Sequence, residues 1–422
     1  MERTGINKGQ PMIADEAGIW RRNLFVCVFG SFATAVAMTL LLPVLPSYVA
    51  ELGVHGQAAI VQWSAVAFGV TFGAAGVAAP FWGWVADRHG RKLILMRASL
   101  GMAVCMSLIG MAQDIGQLVI LRLLAGLLGG YASGASVLVA TQTPRARSAW
   151  ALGVLSSGVM AGNLLGPLLG GVLPPLIGLR RTFLAAGLLI FAAFMATALL
   201  VREVRRPARP AGKVRGAWSQ VPDRGSVRAM LATGMLLTLA MMSIEPIITL
   251  YVAELMPTGA AVTAMSGAIL SAGALGSMIA APGMGRLADR IGPRRVVVWG
   301  LVASAVLLLP QAAVTQAWQL LVLRFLMGVA LAGLSPAISS MIRHAVPDQV
   351  VGRILALNTS SQYFGFVAGP LLGGLVGAHL GMRPVFLATS AAMLAGAVLA
   401  ATGIGRPDAE NRSAVSSRSG AT

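Results

Sequence analysis

Long stretches of the chain contain no Asp, Glu, Lys or Arg, among them 23–50, 52–86, 98–113, 148–179, 182–201, 255–285, 296–323, 354–382 and 384–405. Charge returns between them in short clusters, so polar positions mark turns rather than one face of a helix or strand. A helix needs about 20 mainly apolar residues to cross a bilayer, and it satisfies every backbone N–H and C=O within itself. Breaking the runs at each polar or Pro/Gly turn predicts twelve spans: 24–49, 59–84, 94–113, 117–141, 149–173, 182–201, 229–253, 261–284, 296–314, 318–341, 352–377 and 384–403. The prediction is an all-α polytopic membrane protein. Composition agrees: 56% of residues are hydrophobic and 11% charged, against about 25% charged in soluble domains.

The pattern occurs twice. "APFWGWVADRHGRK" begins at Ala79, and "APGMGRLADRIGPRR" begins 202 positions later at Ala281. "QLVILRLLAG" at 117–126 returns as "QLLVLRFLMG" at 319–328, "GPLLGG" at 166–171 returns unchanged at 369–374, and "GLRRTF" at 178–183 returns as "GMRPVF" at 381–386. Matches in order at a nearly constant offset predict one six-span unit present twice, as two pseudo-symmetric six-helix bundles at 23–201 and 229–404. An even number of spans keeps both copies of each motif on one membrane face, which makes this a parallel repeat with its site expected between the halves near mid-membrane. Residues 1–22 read as a cytoplasmic N-terminal segment, 202–228 as a Pro/Arg/Gly-rich cytoplasmic linker and 405–422 as a disordered cytoplasmic tail.

Charge changes the picture once its placement is considered. The formal net charge is +18 from 32 Lys and Arg against 14 Asp and Glu, which invites a nucleic-acid partner. The distribution excludes that partner. Arg122 and Arg324 fall inside spans; Arg180, Arg181 and Arg383 sit in loops on one side, and the rest lie on or near the other. Such bias marks the cytoplasmic face, with attraction to membrane lipid as a by-product. Both termini are then expected in the cytoplasm, and no cleaved secretory signal is read before the first span. Cys27 and Cys105 lie in spans and make no disulfide framework, and the four histidines have no metal-ligand spacing. None of Lys8, Lys92 and Lys213 is followed by Ser or Thr, so no phosphate-binding loop exists and the expected energy source is a gradient across the membrane, with no cofactor.

With these motifs on these spans, residues 20 to 403 resemble a major facilitator superfamily transporter, and within it the twelve-span bacterial drug:proton antiporter family and its MdtG-like multidrug efflux group. Gly83, Asp87, Arg88, Gly90, Arg91 and Lys92 occupy the family's G-x-x-x-D-R-x-G-R-K pattern. Gly83 leaves room for a neighbouring helix, and Asp87 at a helix C-terminus should seek a cation or another helix's N-terminus. The resemblance implies that this partner is the start of span 11, closing the cytoplasmic side in one state; the alternative is a solvated loop. The second copy keeps Gly285, Asp289, Arg290 and Gly292 but has Pro293 in place of Arg91. Gly153, Gly162, Gly166, Pro167, Gly170 and Gly171 match the antiporter signature of span 5, a glycine seam with a proline bend that the family associates with exporters. Span 11 carries a partial copy, with Ala356 where Gly153 would fall.

Three charged residues are candidates for proton coupling: Glu245, Arg122 and Asp87. Arg122 matches the family's span-4 arginine, which the resemblance ties to coupling. Its duplicate Arg324 leaves open an anchoring arginine bonded to carbonyls. Glu245 is the one carboxylate well inside a predicted span, where charge is costly, so it reads as a proton or cation site, as a periplasmic-side gate residue or as the partner of an arginine. The acidic residue that parts of the family carry in span 1 is absent. Tyr131, Gln142, Asn163, Met241, Met242, Glu245, Asn358, Gln362 and Tyr363 are candidate cavity residues, polar or adaptable points in an apolar vestibule. The expected function is secondary active export of apolar or amphipathic compounds by alternating access, from the bacterial inner membrane, by a monomer. The alternatives are a facilitator or proton symporter for a small metabolite, or a membrane enzyme or channel. The spans hold no nucleophile–base–acid set, so the chain is not read as an enzyme.

Overall fold

A computed structural model describes residues 14–203, 217–256, 260–347 and 349–404; among these the side chains of 14–17, 87, 145, 217, 219 and 260 are outside the description. The predicted tail and most of the predicted N-terminal segment and linker therefore lie outside the described residues. Among the described residues, twelve helices are long and apolar enough to cross a membrane. They are span 1 (Gly18–Leu40), 2 (Gln57–Ala86), 3 (Arg91–Ile109), 4 (Ile115–Gln142), 5 (Ser148–Ile177), 6 (Leu179–Leu200), 7 (Arg224–Leu255), 8 (Ala261–Ile291), 9 (Pro293–Ala313), 10 (Ala317–Ala345), 11 (Val351–Leu380) and 12 (Met382–Gly403).

Local sequence explains the interruptions. Span 1 stops at Leu40, earlier than its hydrophobic pattern predicts, because Pro43 and Pro46 cannot continue the hydrogen-bond ladder; a short helix, Leu45–Glu51, follows. Span 7 breaks at the same place in the repeat, where Pro246 forces a single 3-10 turn at Glu245–Ile247. Spans 4 and 10 break after Leu128 and Leu331, and Gly130 (φ +102°) and Gly333 (φ +77°) occupy left-handed backbone that only glycine adopts freely.

The contacts repeat with the sequence. Span 1 packs on 5 and 6, span 3 on 4 and 6, and span 2 on 4; span 7 packs on 11 and 12, span 9 on 10 and 12, and span 8 on 10. Side chains follow the same rule. The Tyr48 and Phe183 rings lie 4.9 Å apart at 50°, and Tyr251 and Phe386, 203 positions on, lie 5.0 Å apart at 50°. The Tyr48 hydroxyl donates to the Ile109 carbonyl and the Tyr251 hydroxyl to that of Gln311. Burial holds the Tyr48 phenol above its ordinary pKa, so it stays a donor. The halves meet through span 2 on span 11 and span 5 on span 8, two contacts that a twofold axis between the halves exchanges.

Candidate functional site

The halves touch along only part of their length. On span 2, Gly69 and Gly73 lie against Val367, Gly76 against Tyr363, and Phe72 stacks on Phe366 with centroids 4.8 Å apart. Gly374 and Gly377 of span 11 bring their backbones onto Ala65 and Val61. On the other seam, Ser271 donates to the Leu164 carbonyl at 2.7 Å, and Gly171 rests on the backbone at Thr263 and Ala264. Thr249 donates to the Pro43 carbonyl at 3.1 Å, Gln57 to Glu254 at 3.1 Å, and Gln62 meets His379 at 3.3 Å. All these contacts lie at mid-membrane or toward one end, where one hydrophobic core joins Leu41, Tyr48 and Val61 to Ile247, Tyr251 and Ile269. At the other, arginine-rich end, a Cβ added to Gly83, Gly153, Gly283, Gly285 or Gly352 would meet nothing within 4 Å. Among the described residues, the halves are closed at one end and parted at the basic one.

The antiporter signature divides between two jobs. Gly158, Gly162, Gly166 and Gly170, four residues apart, share the face of span 5 that packs on span 1. A Cβ at Gly158 would lie 2.9 Å from Val28 Cγ1, one at Gly162 2.6 Å from Ala35 Cβ, and one at Gly170 would run into the Leu40 carbonyl. Gly171 points instead across the interface to span 8. Span 11 mirrors this: Gly365, Gly369 and Gly373 pack on span 7, and Gly374 faces span 2. Gly153, the first position of the signature, stands in open space, while Gly158, outside the pattern, is fully engaged.

The hairpin between spans 2 and 3 bonds through its backbone to its own half. The helix runs on through Arg88 to His89 and turns in the single residue Gly90, at φ +97°. Gly83 approaches no helix, and Gly285 mirrors it in the second half. Arg91 and Lys92 are held within their own half. Their backbone N–H groups donate to the Glu203 carboxylate at 2.7 and 2.8 Å, and Lys92 Nζ donates to the Ala198 carbonyl at 2.8 Å. A carboxylate on the free N–H groups of a helix start is favoured by charge and by hydrogen bonding. Arg88 stacks over the Trp84 ring at 5.2 Å. Asp289 and Arg290 are exposed, and Gly292 repeats the turn at φ +92°. The Asp87 side chain, the expected clasp residue, is outside the description. Glu203→Gln, which keeps shape and removes charge, is expected to lower stability by about 1 kcal/mol, read as a lower Tm in detergent.

In the interior, Arg122 is fully buried on span 4. Its Nε donates to the Ala67 carbonyl at 3.1 Å and its guanidinium lies 5.9 Å from the Phe68 ring centroid, while Nη1 and Nη2 have no partner among the described residues. No carboxylate pairs with it there. Arg324 is its repeat mate, with Nε and Nη2 unpartnered, and it acts electrostatically on Glu245 across the second half. Leu42 stands 203 positions before Glu245, so only one half carries an acid at this level. The Glu245–Ile247 turn touches span 2 of the opposite half, which places Glu245 directly beneath the closed end.

The remaining cavity candidates separate. Tyr131 is buried against Gly30 and hydrogen-bonded to Thr197 at 2.8 Å, and Gln142 accepts from Asn23 at 2.7 Å. The structure thus places both in the packing of the first half and away from any vestibule, because that face of span 4 turns toward spans 1 and 6. Asn358 is also buried, with Oδ1 unpartnered beside Gly234, and Gln362 flanks the same glycine. Tyr363 serves the span 2 contact. Met241 and Met242 are half-buried on span 7, and Asn163 is exposed on span 5. Glu203 and Asn23 were not singled out in the sequence; their partners are 112 and 119 residues away.

Comparison with known proteins decides the family. The model described as "Major Facilitator Superfamily" matches residues 27–266 and 230–421. The chain belongs to the major facilitator superfamily. Among its relatives in that superfamily, the multidrug resistance protein MdtG of Escherichia fergusonii is 42% identical over 386 residues, 91% of this chain and 95% of that protein. MdtG of Klebsiella pneumoniae is 41% identical over 399 residues, 94% and 97% of the two chains. Among solved superfamily structures, a mutant of the nucleoside transporter NupG is 13% identical with a TM-score of 0.76, covering 91% of this chain and 100% of its own. A bacterial homologue of the human lysosomal transporter Spinster, inward-facing and unoccupied, is 14% identical with a TM-score of 0.70, covering 93% and 97%. These two structural likenesses concern the fold alone.

Proposed function

We propose that this superfamily member is a secondary active exporter of apolar and amphipathic small molecules, seated in the bacterial inner membrane with its basic face in the cytoplasm. The observation that carries the reading is the one-sided contact between the halves. They share a core and close-packed glycines at one end and part at the basic end, the arrangement of a carrier that is loaded from the cytoplasm and must close there to discharge outside. The identity to MdtG multidrug resistance proteins supports drugs as substrates. Glu245, with Arg324 acting on it beneath the closed end, is the acid proposed to take up a proton when that end opens, so that inward proton flow resets the carrier. Alternating access then needs no other energy source.

A growth-inhibition panel of cationic and neutral amphipathic antibiotics, run with and without expression, tests the reading. Expression should raise the inhibitory concentration of several unrelated compounds, and collapsing the proton gradient should abolish the protection. Unchanged sensitivity across the panel, with the protein present in the membrane, would sink it.

A further inference from the structure

We propose that the groove between the basic ends of spans 1 and 5 binds an anionic phospholipid. It is a cavity of about 680 Å³, half open to its surroundings. Span 1 supplies Trp20, Leu24, Phe25 and Val28, and span 5 supplies Trp150 and Val154. Arg21 and Arg147 stand at its mouth. The groove exists because the span 1–span 5 seam opens here: Gly158 still touches Val28, but one turn earlier Val154 and then Trp150 take the glycine's place.

Its side of the helix shows that it faces the bilayer and not the vestibule. Residues 150, 154, 165, 172 and 176 share one face of span 5. At the closed end that face exposes Val172 at 48% and Leu176 at 72%. The halves are sealed there, so exposed apolar surface on it meets lipid. Asn163, two residues from Leu165, lies on the opposite side. Phe25 at 75% and Trp150 at 61% exposure therefore open toward acyl chains at the level where indole rings collect in the membrane interface.

Charge selects the occupant. Among the described residues the Arg147 guanidinium makes no hydrogen bond or ion pair, and that of Arg21 has only the Trp20 ring, 5.6 Å away. Two such cations above an apolar slot match a phosphate headgroup with its acyl chain laid along Leu24, Val28 and Val154. The proposal rests on the membrane placement given above and not on export.

The test is native mass spectrometry of the full chain, taken from detergent carrying equal phosphatidylglycerol and phosphatidylcholine. Wild type should retain phosphatidylglycerol in preference, and Arg21→Gln with Arg147→Gln should weaken that retention about thirtyfold. Arg286→Gln with Arg290→Gln, equal in charge and on span 8, should change it little. Equal retention of the two lipids, an unaffected Arg21/Arg147 pair, or an equal loss from the span 8 pair would each overturn a defined site. A second arm leaves charge intact. Brominated phosphatidylglycerol should quench wild-type tryptophan fluorescence more than brominated phosphatidylcholine, and Trp150→Phe should shrink the difference; no difference in wild type counts against the proposal. Both arms read binding without transport, so a failed drug panel leaves them decisive.

Discussion

Gly171→Leu is expected to leave the protein folded but stop its cycle, whereas Gly170→Leu, one residue earlier, is expected to cost the folded protein. The two glycines are neighbours in sequence and face different partners. A Cβ on Gly170 would run into the Leu40 carbonyl inside the first half, where spans 1 and 5 are locked by three further glycines. Backbone cannot yield there as a long side chain would, and overpacking of this kind costs about 1–3 kcal/mol or more. A Cβ on Gly171 would stand 2.8 Å from the Thr263 carbonyl oxygen and 3.1 Å from Ala264 Cα, across the interface between the halves. The same strain now falls on an equilibrium between states, since parting the halves at this end relieves it. A bias of 1.4 kcal/mol shifts that equilibrium about tenfold. Gly171→Leu should therefore express and melt like wild type, export at least about tenfold more slowly, and expose a cysteine placed at Ala65 to a water-soluble maleimide. Gly170→Leu should yield little monodisperse protein. Identical behaviour of the two variants would contradict the division of labour in span 5.

Glu245→Gln is expected to keep substrate binding and lose proton-driven export, by at least about tenfold. The replacement keeps the size and hydrogen-bonding reach of the side chain but can no longer exchange a proton. The substitution would leave Arg324, whose Nε and Nη2 have no hydrogen-bond partner among the described residues, without the opposing charge that acts on it. If coupling passes through this pair, gradient-driven efflux falls while drug exchange across the membrane without a gradient persists. Efflux at the wild-type rate would remove Glu245 from the coupling mechanism, and loss of exchange together with efflux would make it a structural residue.

The spans and the repeat were legible because they depend on composition along the chain: charge-free runs fix where a helix can cross, and equal offsets such as Tyr48 to Tyr251 fix the two halves. What escaped depends on which way a helix turns. Tyr131 and Asn163 both read as polar points on membrane helices, yet the structure buries one against Gly30 and exposes the other. Only the neighbours of each helix decide this. Glu203 carries no local signal, being one acid in a basic stretch, and acquires its role when the end of span 6 comes beside the start of span 3. The glycine signature was legible as a seam, but Gly153 is idle and Gly158 engaged because spans 1 and 5 diverge toward the basic end. The hairpin at Gly83 to Lys92 reads either as a clasp between halves or as a solvated loop, and only the fold shows its backbone tied to its own half.

The most direct test of the account is a reversible lock on the closed end. A Cβ on Gly377 would lie 3.5 Å from a Val61 methyl, so Val61→Cys with Gly377→Cys, in a chain also carrying Cys27→Ala and Cys105→Ala, places two thiols within disulfide reach across the halves. Export by the oxidised protein should cease and return on reduction, because the carrier must part there to release its cargo. Export at the reduced rate by fully crosslinked protein would show that these halves do not separate, and that the proposed cycle is wrong.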